Sequence, residues 1–274
     1  MATIAAEAKE RNAGLDQFYE LQATVAAFHG KLRDARSGTR HAVDLAMRTG
    51  QRESAAHHAA DMAMIEAMTG NASAARSLTD EALALSSEGR DVIAQAGLAL
   101  AFANDPHAAR IAEKLDRQFP EDTLVQFVHV PVIRALIAMH GDRPAQAISL
   151  LETSTPYELG WASYGGDVFL CSLYPIYARG LAYMAMGKGV EAAREFDREC
   201  HSCPSRQNMV RHRTISRTDP VAALVHLQLG RAWAIAGERG KAHQGYAEFL
   251  ALWQSADEDS TLLAAARREF AGLR

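Results

Sequence analysis

One pattern occurs twice in the C-terminal third of this chain, and it constrains the fold more than any other feature. Each copy has a glycine, an aromatic three positions later, an alanine twelve positions after the glycine, and a second aromatic four positions further on. The two copies are Gly180, Tyr183, Ala192 and Phe196, then Gly230, Trp233, Ala242 and Tyr246. Small residues let two helices approach closely while aromatics fill the space beside them. The pattern therefore predicts antiparallel helix pairs that repeat along the chain.

The turn of such a pair can be followed through the whole sequence as Gly or Asn five or six residues before Ala. Glycine accepts the left-handed backbone at a helix end, and asparagine tolerates it. The matches are Gly30/Ala35, Gly70/Ala75, Asn104/Ala109, Gly141/Ala147, Gly187/Ala192 and Gly237/Ala242. They predict helix pairs over 12–48, 51–86, 89–119, 122–154, 173–203 and 219–254, and a last amphipathic helix over 260–272 with Ser260 as its N-cap.

This spacing resembles the tetratricopeptide repeat (TPR), a helix–turn–helix unit of ~34 residues. The resemblance implies an all-α, right-handed α-solenoid with a C-terminal capping helix. Residues 1–154 keep the turn but lose the aromatics, so they are either degenerate TPR-like repeats or a plain helical array. Residues 155–172 form a connecting loop. Residues 173–274 hold the clear repeats and the cap, and the whole is one continuous solenoid.

A narrower resemblance covers about residues 173–257. The segments that carry it are YPIYARG at 174–180, ALVHLQLGRA at 223–232 and FLALWQSAD at 249–257. They are similar to the TPR tail behind the kinase domain of bacterial serine/threonine protein kinases and behind related winged-helix regulators. The Gly-rich loop, strand lysine, H-R-D and D-F-G motifs of a kinase are absent from the sequence. The resemblance implies a non-catalytic module of a bacterial signalling protein, either free or part of a longer chain.

The first helix of each repeat lines the concave side of such a solenoid, where a peptide would bind. In the last two units these positions are Tyr174, Tyr177, Leu181, Met184, Leu224, Leu227, Arg231 and Ile235. Tyrosine offers a ring and a hydrogen-bonding tip, and arginine can grip a carboxylate with two bonds. We expect a protein–protein or peptide-binding scaffold. The alternative is a peptide- or ligand-sensing module whose shape changes on binding.

Charge and composition narrow the function further. The 29 Lys and Arg against 33 Asp and Glu give a net charge of −4, which does not favour nucleic acid. No apolar run is long enough for a membrane span, and no signal peptide is recognisable, so we expect a cytoplasmic protein. No Ser/His/Asp, paired-carboxylate or phosphate-loop arrangement stands out, so no catalytic residue, cofactor or metal site is predicted. The oligomeric state is not indicated.

Two local features allow more than one interpretation. Cys200 and Cys203 could form half of a zinc site, but tetrahedral zinc needs four ligands and only Cys171 remains; they could equally be ordinary thiols at a helix end. The arginine-rich segment 206–217 could contact phosphate or an acidic partner, or be a solvated loop. His57 and His58 are adjacent, so on a helix they point to different faces.

Overall fold

A computed structural model describes residues 15–158, 173–197 and 219–273 of this protein. Within these ranges the chain forms helices and turns without any strand, which confirms the all-α fold class. The helices are α1 (Leu15–Phe28), α2 (Leu32–Arg48), α3 (Arg52–Met68), α4 (Ala72–Leu85), α5 (Arg90–Phe102), α6 (Ala108–Gln118), α7 (Val130–His140), α8 (Pro144–Leu151), α9 (Tyr174–Ala185), α10 (Gly189–Phe196), α11 (Pro220–Ile235), α12 (Arg239–Leu252) and α13 (Thr261–Gly272). A π-helical turn (Val125–His129) precedes α7, and a 3-10 turn (Glu152–Tyr157) follows α8.

Consecutive helices pack against each other as pairs, and their bounds agree with the six predicted pairs and the terminal helix. Five of the six predicted turn residues have positive φ angles. The exception is the fourth turn, where Gly141 has φ −86° and Asp142 takes the left-handed conformation with φ 56°. The third pair also differs, because Ala108 is buried while the predicted Ala109 is exposed.

The glycine–aromatic pairing of the two clean repeats is present as tight packing between helices. A side chain at Gly180 would collide with the ring of Phe196 across the α9–α10 interface. At Gly230 an added Cβ would lie 2.8 Å from Cδ2 of Tyr246, on α12. Phe196 and Tyr246 are buried, so these aromatics contribute to the fold, by about 1.5–3 kcal/mol each.

The N-terminal pairs solve the same packing problem with different residues. In the second unit, Glu66 stands where the aromatic belongs, and its carboxylate accepts a bond of 2.9 Å from Nη2 of Arg36. In the third unit, an added Cβ on Gly97 would lie 2.7 Å from Ile133 and 2.8 Å from Ile111. The helix pairs therefore persist without the aromatic signature, because ion pairs and branched aliphatics fill the space.

The two ends of the helical array meet, which a generic open solenoid does not predict. The indole Nε1 of Trp253 donates to the carbonyl of Phe28 over 3.1 Å, and the amide of Asp257 donates to the carbonyl of Gly30 over 3.1 Å. The carboxylate of Asp257 accepts in turn from the amide of Arg33 over 2.9 Å. Because α1 also contacts α11, the first helix pair is packed against the last.

Helix α13 covers the end of the last pair, as expected of a cap. Its first turn is capped by Ser260, whose hydroxyl accepts from the amide of Leu263 over 3.2 Å. Phe270 packs on His243 and Tyr246 with ring centroids 4.6 and 6.1 Å apart. None of the helices that the structure describes is both long and apolar enough to cross a bilayer.

Candidate functional site

The eight residues predicted to line a concave face divide into two groups. Four of them have at most 3 % of their surface exposed: Tyr174, Tyr177, Leu224 and Leu227. The other four lie nearer the ends of α9 and α11 and are partly or largely exposed: Leu181, Met184, Arg231 and Ile235. The sequence placed the first four on an open face, whereas the structure places them in the core.

Side chains from other helices cover these four positions. The ring of Phe102, on α5, lies 6.1 Å from the rings of both Tyr174 and Tyr177. The amide of Gln228 donates to the hydroxyl of Tyr177 over 3.1 Å, and the hydroxyl of Tyr174 donates to Asp219 over 3.2 Å. The first helices of the pairs are too close together here to leave room for a peptide between them.

Arg231 makes the bidentate carboxylate contact that the sequence suggested, but with its own chain. Its Nε and Nη2 each donate to the carboxylate of Glu269 over 2.8 Å, and the hydroxyl of Tyr246 donates to the same carboxylate over 2.9 Å. Burial alone would raise the pKa of Glu269, but the hydrogen bond and charge of Arg231 hold it below its usual value. This cluster fastens α13 to α11 and α12.

The first helix, α1, exposes a row of large apolar side chains, although its inner face also buries Ala23 and Ala27. Its outer face carries four large apolar side chains that are 41–53 % exposed, at positions that fall on one stripe of a helix: Leu15, Phe18, Leu21 and Val25. Its inner face buries the carboxylates of Asp16 and Glu20. A surface helix normally shows the reverse arrangement, because burying apolar groups is what stabilises it. An exposed apolar stripe of this kind is typical of an interaction surface.

A groove runs beside this stripe, between α1 and α2. It encloses about 460 Å³, and Val25 belongs both to the stripe and to its wall. Tyr19 and His41 stack across it with ring centroids 5.3 Å apart, and Lys31 and Asp34 supply charges at its rim. The stripe and groove together form one surface that is apolar at the centre and polar at the edge, which suits a peptide.

The inner face of α1 meets α3 at a buried polar cluster. The imidazole Nε2 of His58 lies 3.2 Å from Oδ2 of Asp16, and its Nδ1 lies 3.4 Å from Oε2 of Glu20. Asp61, one turn further along α3, brings a third carboxylate, so that Glu20, His58 and Asp61 can each place one oxygen or nitrogen within 4.8 Å of the others. All four side chains are buried.

The electrostatics of this cluster are unusual for a protein interior. Burial raises the pKa of the Glu20 carboxyl to about 8 and lowers the pKa of the His58 imidazole. Neither oxygen of Glu20 nor Nδ1 of His58 has a hydrogen-bond partner among the residues that the structure describes. Buried polar groups are almost always hydrogen-bonded, so these three atoms are exceptions that need an explanation.

Other sequence-predicted features lie outside the described residues. They are Cys171, Cys200, Cys203, the arginine-rich segment 206–217 and most of the predicted connection 155–172. Arg179, in the YPIYARG segment that carries the narrower resemblance, lies within the described residues and is buried: it pairs with Glu158 and, over 3.1 Å, with Glu195. Its role is to tie α9 to the neighbouring elements.

No protein-family model matches the chain, and no curated protein matches it. The resemblance to TPR tails of bacterial kinases therefore stays a prediction.

Sequence reasoning missed both faces of α1. The signal was present, since Leu15, Phe18, Leu21 and Val25 are spaced at helical intervals and Asp16 and Glu20 fall between them. The sequence alone suggests that the apolar side faces inward. Only the tertiary structure shows that the acidic side does.

Proposed function

We propose that this chain is a non-catalytic helical-repeat module that binds a peptide segment of a partner protein, and that the apolar face of α1 is its docking surface. The observation that carries the proposal is the exposed apolar stripe of α1, with Phe18 53 % exposed at its centre. The resemblance to kinase-tail repeats supports, as part of the same proposal, a role in bacterial signalling.

The chemistry of the surface indicates the kind of peptide. The stripe spans eleven residues of helix from Leu15 to Val25, or about 15 Å. That length suits a partner segment with two or three apolar side chains on one face, as in helix-in-groove recognition. The rim charges Lys31 and Asp34 would orient the segment more than tighten its binding.

The partly exposed residues of the predicted concave face also support peptide binding. Ile235 is 44 % exposed at the end of α11, and Met184 and Leu181 are half-buried at the end of α9. Arg231 is already engaged with Glu269. A peptide carboxylate could reach Arg231 only by displacing Glu269, so we give the α1 surface precedence.

A second candidate function is the sensing of a small ligand. The buried cluster of Asp16, Glu20, His58 and Asp61 favours it, because Glu20 is buried there and neither of its oxygens has a hydrogen-bond partner among the described residues. In that case a bound ligand would change the contact between α1 and α3 and hence the shape of the array.

Selection from a random peptide library on the purified protein tests the main proposal. We expect enriched peptides with apolar residues at helical spacing, whose affinity for a Phe18→Lys variant falls at least tenfold, since a charge replaces the central apolar contact. Met47→Lys is the matched control, because Met47 is 43 % exposed on the neighbouring helix α2 and lies outside the stripe.

Two outcomes contradict the docking surface. One is that no peptide is enriched; the other is that the selected peptides bind the Phe18→Lys and Met47→Lys variants equally well. Sedimentation velocity on the wild type identifies a different occupant: a dimer that dissociates in the Phe18→Lys variant shows that the stripe binds a second copy of the chain.

A further inference from the structure

We propose that Glu20, His58 and Asp61 form a binding site for one divalent transition-metal ion, and that Asp16 holds the imidazole of His58 in the ligating orientation. The inference does not depend on partner recognition by the outer face of α1. It concerns the opposite, buried face of the same helix.

The structure brings three candidate metal ligands, two carboxylates and one imidazole, close together. One atom from each of Glu20, His58 and Asp61 lies within 4.8 Å of the others. Ligand atoms ~2.0–2.2 Å from one zinc ion are roughly 3.4 Å apart in a tetrahedral arrangement, so side-chain rotations close the site without moving a helix. Contacts of His58 with Asp16 and Glu20 already join the two helices that supply the ligands.

Two of the three proposed ligands, Glu20 and His58, have atoms without a hydrogen-bond partner among the described residues. Within the described ranges, neither oxygen of Glu20 has a hydrogen-bond donor, although Glu20 is only 3 % exposed. Nδ1 of His58 also has no hydrogen-bond partner there, and it lies 3.4 Å from Oε2 of Glu20. Burial disfavours the ionised form of Glu20, and a cation between these groups would stabilise that form.

Metal-ligating histidines generally donate their second ring N–H to a hydrogen-bond acceptor, and Asp16 supplies that acceptor for His58. A carboxylate can only accept, so the Nε2 of His58 that lies 3.2 Å from Asp16 carries the proton. In the neutral imidazole the lone pair is then on Nδ1, the atom that lies 3.4 Å from Glu20. This carboxylate–histidine arrangement fixes the tautomer and raises the basicity of the ligand.

The ligand set selects the class of ion. Calcium and magnesium prefer sites made wholly of oxygen ligands, whereas an imidazole with carboxylates suits zinc, manganese or iron. Three protein ligands leave room for water or a small anion on the ion. We take Zn²⁺ as the probe, because it has no geometric preference from its d electrons and accepts nitrogen and oxygen ligands.

Titration of chelator-treated protein with Zn²⁺ measures the binding directly. We expect one Zn²⁺ per chain by calorimetry and a higher melting temperature in its presence, because a ligand that binds only the folded state stabilises it. The absence of both the binding heat and the shift overturns the proposal.

A control must show that Zn²⁺ does not bind to the three cysteines instead of this site. A variant with Cys171, Cys200 and Cys203 changed to serine is expected to bind Zn²⁺ as the wild type does. Co²⁺ in the wild type is expected to show d–d absorption without a thiolate charge-transfer band. Loss of binding in the serine variant, or a thiolate band, assigns the metal to the cysteines and overturns the proposal. The serine variant keeps the ligands on α1 and α3, so its loss of binding could not come from them.

Substitutions test the ligands themselves. Glu20→Gln keeps the shape and is expected to weaken Zn²⁺ binding at least about 100-fold; Asp16→Ala, behind the ligand, is expected to weaken it by about 10–100-fold. Glu248→Gln is the matched control, since Glu248 pairs with His226 over 2.8 Å elsewhere in the fold. Equal affinity of the Glu20→Gln and Glu248→Gln variants for Zn²⁺ contradicts the assignment.

Discussion

At the scale of the residue, His129 shows how burial alone sets a chemical property. It ends the π-helical turn before α7, is 6 % exposed, and its Nδ1 has no hydrogen-bond partner among the described residues. Burial lowers the pKa of its imidazole to about 4, and the nearby charges of Asp91, Arg90 and Asp122 have smaller effects. The histidine is therefore neutral in the folded protein at neutral pH.

This pKa predicts a loss of stability in acid. The unfolded chain protonates His129 near its ordinary pKa of ~6.5, whereas the folded chain does so only near 4, so the unfolded state binds more protons between these values. The free energy of unfolding is expected to fall by about 3 kcal/mol through this residue as the pH drops from 6.5 to 4. Urea titrations of the wild type and a His129→Leu variant over that pH range measure it.

The comparison isolates His129 because all other titrating groups are common to both proteins. We expect the difference between the two unfolding free energies to change with pH between 6.5 and 4 and to be constant above that range. A difference that does not vary with pH shows that the imidazole is as easily protonated in the folded state as in the unfolded chain.

At the scale of the element, α13 depends on one carboxylate. Glu269 accepts from Arg231 and Tyr246, and it is the polar link between the cap and the last pair. A Glu269→Gln substitution is expected to lower the free energy of unfolding by about 1–2 kcal/mol, since the pair is charged but partly exposed to solvent. Hydrogen exchange of the amides of 261–272 is expected to accelerate as the cap loosens.

The control for the cap is an exposed ion pair within the array. Asp116 accepts from Arg134 over 2.7 Å, and both side chains are more than a third exposed. Asp116→Asn is expected to change stability by less than about 1 kcal/mol and to leave exchange of 261–272 unchanged. Equal effects of the two substitutions mean that Glu269 is an ordinary surface charge.

The helices were predictable because their signals are local. Glycine at positive φ marks the turns at Gly30, Gly70, Gly187 and Gly237, and each is followed by a buried alanine five residues later. At the fourth turn the same offset begins from Asp142, a residue that tolerates the left-handed region less commonly than glycine, so the sequence pointed to its neighbour Gly141.

The site was less predictable because it depends on contacts that are distant in sequence. The burial of Tyr174 and Tyr177 depends on Phe102, which lies more than seventy residues away. The acidic face of α1 lies against His58 and Asp61 on α3, more than thirty residues further along the chain. Hydrophobic periodicity indicates which face of a helix is buried when that face packs against apolar residues. Here the inner face of α1 meets the polar residues His58 and Asp61.

At the scale of the whole molecule, the contact between the two ends sets the arrangement of the array. Gly30 lies at the junction with φ 72°, and a Cβ there would lie 2.6 Å from Cβ of Ala256 and 2.7 Å from the ring of Trp253. Gly50 has nearly the same φ, 75°, but open space around it. The two glycines therefore share a backbone conformation, and only Gly30 lies at the contact between the two ends of the array.

Alanine at each position tests the closure. Both variants bear about 1–2 kcal/mol for the left-handed backbone, but Gly30→Ala is expected to lower the free energy of unfolding by a further ~1–3 kcal/mol, because Trp253 must move. Small-angle scattering is expected to show a larger radius of gyration for Gly30→Ala than for Gly50→Ala. Identical stability and radius for the two variants contradict the contact between the ends.

In the proposed function, α1 presents its apolar face to solvent, where a partner binds it. Hydroxyl-radical footprinting read by mass spectrometry tests this most directly, with Phe249, which is fully buried, as the internal reference for Phe18. We expect Phe18 to be oxidised much faster than Phe249 in the free protein and to be protected when a selected peptide is bound. Phe18 as protected as Phe249 in the free protein would contradict it.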